Sequence, residues 1–68
     1  MAIDAKTFWE AVHNRMRNSK RRVGQSVFDV VFFNDHELAK SLTGTEVDCY
    51  YDDSKIPLFM DAIKDHLV

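Results

Sequence analysis

Residues 19–33 read SKRRVGQSVFDVVFF, and whether this run is a strand or a helix decides the fold. Its Val and Phe content, with no Ala, favours a strand by propensity. Its spacing favours a helix. Val23, Val27, Val30 and Val31 share one face at helical period, whereas a strand would set Asp29 beside Val27 and Val31 on the same side. Wrapped as a helix, the run is apolar on most sides, Phe28 and Phe32 adding a second face. Arg22, Ser26 and Asp29 form a narrow polar strip. This is the pattern of a central helix packed by neighbours. Gly24 costs such a helix about 1 kcal/mol relative to Ala, unless it marks a close helix–helix approach.

The flanking segments support a helical reading. Upstream, Ala5, Phe8, Trp9, Val12 and Met16 fall within an arc of about 100°. Thr7 and Glu10 in TFWE have capping-box spacing, with Asp4 an earlier cap candidate, and the helix is predicted to stop near Asn18. Downstream, NDHELAKSLTG is a short helix that Asn34 caps and Gly44 stops, with Glu37 at the capping-box position and Leu38 and Leu42 pointing inward. TEVDCYY alternates Val47, Cys49 and Tyr51 against Glu46, Asp48 and Tyr50, but has no evident strand partner, and a lone strand cannot form a sheet. Residues 45–52 are therefore expected to be an extended connector whose side chains plug the core. The last helix is the clearest. Ile56, Phe59, Met60, Ile63 and Leu67 form one stripe, Asp53 or Ser54 caps it, and Pro57 sits harmlessly in its first turn. The expected fold is all-α: one domain over residues 1–68 with about four helices sharing one core.

Length and composition agree. A chain of 68 residues buries only roughly 60% of its unfolded surface, so each large apolar side chain matters. Five Phe, two Tyr and one Trp are too many for a disordered segment, and two Gly and one Pro too few for a hairpin-rich β fold. Cys49 is the only cysteine, which rules out an internal disulfide and fits a reducing, cytoplasmic setting. VVFF is the longest apolar run, far short of a membrane span, and MAIDAK lacks the features of a signal peptide.

The net charge of −2 hides an asymmetry. Residues 1–34 carry six basic and three acidic groups, and residues 35–68 carry three basic and eight acidic ones. In so small a domain the favoured reading is mutual attraction of the halves.

From Gly24 onward the chain resembles a type of short, mostly uncharacterised protein encoded by phages and bacteria. The residues carrying the resemblance are GQSVF, LAKSLTGTEVDCYYDD and IPLF, about two thirds of the chain. They match a G-Q-x-x-F helix, a short helix ending in G-T, an acidic-aromatic segment and an I-x-x-F helix. Cys49 departs from the pattern, which often has Pro there. The resemblance implies a helical fold and a phage or bacterial origin, and it brings no catalytic residues.

No catalytic, metal or cofactor site is expected. His13, His36 and His66 lie on three different helices, and no H-x-x-x-H or C-x-x-C spacing occurs. Cys49 is read as core filler. Asp48, Asp52 and Asp53 do not line up as a calcium loop, and helix capping explains Asp52 and Asp53 better.

Two surfaces are candidates for binding. The first comprises Tyr50, Tyr51, Asp52, Asp53 and Leu58. Leu58 points about 180° from the buried stripe, one of the two tyrosines should face out, and a Tyr, Leu and acid cluster suits a protein partner. The alternative is nucleic acid at Arg15, Arg17, Lys20, Arg21 and Arg22, which cluster around a helix–helix corner rather than along one face. Solvation or pairing with the acidic half is the favoured reading of these charges. The expected function is thus a small non-enzymatic protein-interaction module, such as a phage accessory protein that modulates a host protein. A nucleic-acid-binding accessory protein is the alternative, and a structural subunit or homo-oligomer the third possibility.

Overall fold

The computed structural model describes all 68 residues and contains helices and turns with no strand. Helix α1 spans Ala5–Ser19, α2 Val23–Asn34, α3 His36–Leu42 and α4 Ile56–Ile63, with 3-10 turns at Asp53–Lys55 and Lys64–His66. The run at 19–33 is therefore helical from Val23 onward, as its spacing demands. Packing overrides its strand propensity, because α2 is the hub on which α1, α3 and the first 3-10 turn pack.

Local signals place the ends of each element. Asp4, rather than Thr7, is the N-cap of α1: its carboxylate accepts the Thr7 N–H at 2.7 Å. That bond is the main reason its carboxyl is held below the usual carboxylate range. Ala5, at the edge of the predicted stripe, is exposed in the first turn, while Phe8 and Val12 are buried. Lys20 ends α1 in the left-handed conformation, φ 53°, and turns the chain toward α2.

Helix α3 is capped by Asp35, which accepts the Leu38 N–H at 3.1 Å. The predicted cap, Asn34, instead closes α2, its side chain donating to the Val30 carbonyl at 2.8 Å. Gly44 adopts φ 75° two residues beyond α3, as its position predicts. Asp52, one residue earlier than predicted, caps the entry to α4, taking the N–H and the hydroxyl of Ser54 at 3.0 and 2.6 Å. Those bonds hold its carboxyl below the usual range.

The core contains Phe8 and Val12 from α1, Val27, Phe28, Val30 and Val31 from α2, Ala39 from α3, Cys49 from the connector, and Phe59 and Ile63 from α4. Residues 45–52, expected to be extended, instead advance by turns, because with no strand beside them their backbone groups bond locally: Asp48 N–H to Thr45 O and Asp52 N–H to Cys49 O, with Cys49 the side chain buried in the core. Of the polar strip on α2, Arg22 faces water but the other two residues do not. Ser26 is fully buried, its hydroxyl without a partner, and Asp29 is nearly so. With neighbours on several sides, α2 has no flank left for solvent along most of its length.

Candidate protein-binding surface

The connector is held against α2 by backbone contact, and Gly24 makes that contact possible. A Cβ at this position would lie 2.3 Å from the Cys49 carbonyl oxygen and 2.5 Å from an Asp53 carboxylate oxygen. The close approach is therefore between helix and connector, not between two helices. The Gly24 N–H donates to Asp53 at 3.0 Å, and the Cys49 thiol lies 3.4 Å from the Gly24 carbonyl. Asp53 thus does for α2 what a cap does, from 29 residues away. Its negative charge sits at the N-terminal end of the helix dipole, where Arg22 alone would be unfavourable. Asp53 also pairs with Arg22 at 3.4 Å. Burial, with the charge of Asp48 adding to it, pushes the Cys49 thiol up to about 12, so it stays protonated.

These contacts position the two tyrosines differently. Asp48 accepts the N–H groups of Gly44 and Tyr50 at 2.8 and 2.9 Å and folds the connector back. Tyr50 is half-buried, its ring edge-on to Phe28 with centroids 5.5 Å apart. Arg21 donates to its hydroxyl at 2.8 Å and Arg22 to its carbonyl at 2.5 Å. Tyr51 is 84% exposed and packs edge-on against Tyr50, centroids 4.8 Å apart. A shallow hollow opens beside it, lined by Phe28, Thr43, Asp48 and both tyrosines. Leu58 is 53% exposed on the outer side of α4, in keeping with its place on the helix. Of the five residues in this candidate set, Tyr51 and Leu58 present apolar area to solvent. Tyr50 and Asp53 are occupied within the chain, and the Asp52 carboxylate caps the turn to α4.

The basic corner is largely committed. Arg15 and Arg21 converge on Asp29, their Nε atoms 3.1 and 2.7 Å from one carboxylate oxygen. The Arg21 approach lies off the hydrogen-bond direction, so charge attraction is what holds it. Arg22 is paired with Asp53. Arg17 bonds only the Asn14 side chain, at 2.7 Å, and Lys20 has no acidic partner. The corner and the tyrosine segment, separate in sequence, meet through Arg21, Arg22 and Tyr50.

One exposed region lies outside both candidate residue sets and belongs to the wide apolar surface of α2 that the homo-oligomer alternative would use as an interface. Phe33 is 66% and Phe32 41% exposed at the end of α2, although the helical pattern puts Phe32 in a buried second face. Arg15 lies over the Phe33 ring at 5.3 Å, and His36 packs edge-on against Phe32 at 4.5 Å. A signal was present in the width of the apolar surface. A helix apolar all round needs cover all round, and α3, only seven residues long, cannot supply it.

No model of a known protein family, no curated protein and no solved structure matches this chain.

Proposed function

We propose that this chain is a small non-enzymatic protein-interaction module, with Tyr51 at the centre of its contact face. A phage or bacterial accessory protein that binds and modulates a host protein in the cytoplasm is the role we assign it. The observation that carries the reading is the mounting of Tyr51. Its ring is almost wholly in solvent, yet it rests on Tyr50, whose hydroxyl and carbonyl are both held by arginines. A tyrosine presented on a fixed support brings large contact area at low ordering cost, the usual make-up of an interface hot spot. Leu58 supplies a further apolar contact. The commitment of Arg15, Arg21 and Arg22 to internal acids favours this reading over nucleic acid at the corner.

The test is affinity capture of cross-linked partners from a bacterial lysate, with the captured protein identified, purified and titrated. Tyr51→Ala is expected to cost about 2 kcal/mol of binding, roughly 30-fold, and Leu58→Asp less. Tyr50→Ala is unsuitable because it also removes the Phe28 and Arg21 contacts. Undiminished binding by Tyr51→Ala overturns the assignment. A low-salt gel shift abolished by Arg17→Glu would move the function to nucleic acid.

A further inference from the structure

A groove runs between the C-terminal half of α1 and the end of α2, remote in sequence from the tyrosine segment. Ala11 and the nearly buried Val30 give it an apolar base, and Asn14, Asn18, Asn34 and Phe33 stand around it. Asn14 and Asn18 lie one turn apart on the same face of α1. Much of the amide capacity here is unspent within the chain. Asn18 makes no side-chain hydrogen bond, Asn14 accepts one from Arg17 but donates none, and Asn34 donates one but accepts none. A carboxamide offers a donor and an acceptor together, as a peptide group does, so a row of them suits an extended backbone.

Charge selects among such backbones. No carboxylate lines the groove; Arg15 does, and Arg17 joins its rim through Asn14. The nearby Asp29 carboxylate is shared by two arginines, which leaves the corner net positive. An acidic segment fits, with an apolar side chain against the exposed face of Phe33. Nucleic acid fits less well. Affinity for nucleic acid comes mainly from the phosphates a protein neutralises, whereas only Arg17 and Lys20 are cations of this corner without an acidic partner. We propose that the α1/α2 groove is a second binding site, for an extended acidic peptide segment of a partner protein. The site stands independently of the Tyr51 face.

The experiment is a selection of random displayed peptides on the full chain. About eight residues at ~3.3 Å each suffice to cross the molecule's 27 Å length. Enriched peptides are synthesised, titrated by fluorescence anisotropy and followed by NMR through the asparagine side-chain signals. Asp- or Glu-containing peptides are expected to dominate and to shift Asn14 and Asn18. Asn18→Ala with Arg17→Glu should weaken them about tenfold or more, with Arg17→Gln a milder second variant, while Tyr51→Ala leaves them unchanged. Both substituted side chains are exposed, and circular dichroism checks that the variants fold. The proposal falls if nothing enriches, if basic or uncharged peptides do, or if the variants bind as well as the parent. It falls equally if a single-stranded oligothymidine binds more tightly than the best peptide, or if the groove is closed by a self-association that Phe33→Ser abolishes.

Discussion

At its N-terminal end α2 is roofed by the connector; at its C-terminal end Phe32 and Phe33 stand in water. The first turn, Val23–Ser26, holds one large apolar side chain and the last, Val30–Phe33, holds four, so apolar content does not decide which end is covered. What separates them is whether another segment comes close enough to cover the helix. Gly24 lets the connector backbone reach contact distance, Asp53 fixes it there, and Cys49 and Tyr50 fill the space beneath. Nothing comparable crosses Phe33. One helix therefore serves as core at one end and as surface at the other.

The strongest way to break this contrast is to deny the connector its close approach. Gly24→Ala should destabilise by about 2–3 kcal/mol, since both nearest atoms are tied to neighbouring structure and the gain in helix propensity of about 1 kcal/mol is outweighed. In a domain of this size that lowers Tm on the order of 10–20 °C, measurable by thermal melting. Unchanged or raised stability would mean that the connector is not seated on α2.

Alkaline pH is a gentler probe of the same end. The Cys49 thiol has a raised pKa in the folded protein, so it ionises first in the unfolded chain. The stability due to its burial is complete below the ordinary thiol value of 9.0 and is lost as pH rises toward about 12. Wild-type Tm should therefore fall more steeply across that window than that of Cys49→Ala. Parallel profiles would show that the thiol is not buried.

The opposite end should barely respond. Phe33→Ser is expected to change stability by less than about 0.5 kcal/mol, as for other exposed positions. A loss above about 2 kcal/mol in chemical denaturation would place Phe33 in the core and erase the contrast.

Much of this architecture was legible in the sequence. The helical period of the valines in α2, the stripe of α4 and the left-handed turn at Gly44 are local features, and each appears where the spacing puts it. The caps were legible to within a few residues only. Asp4, the earlier of two candidates, caps α1, while Asp35 stands for Asn34 and Asp52 for Asp53 or Ser54, because neighbouring polar residues compete for the same orphan N–H groups and small differences in backbone geometry decide among them. Asp53 escaped its predicted role for a different reason. Its partner is Gly24, and no local pattern encodes a bond between positions so far apart. In the candidate sites, the exposure of Leu58 followed from helical phase, while the division of labour between Tyr50 and Tyr51 depended on two arginines brought in by the fold. The wide apolar surface of α2 was legible, but not which end of it stays bare, because periodicity tells which residues share a face and not whether that face is covered.

The seating of Cys49 gives the molecule a built-in clock. A protonated, buried thiol reacts with a thiol-specific reagent only when the connector lifts from α2, so the labelling rate counts those openings. If the connector lifts by itself, labelling outpaces global unfolding, and the tyrosines that travel with it are intermittently released from their arginines. If labelling and unfolding keep the same time, Tyr51 is held as firmly as the core beneath it, and a partner meets a surface already set.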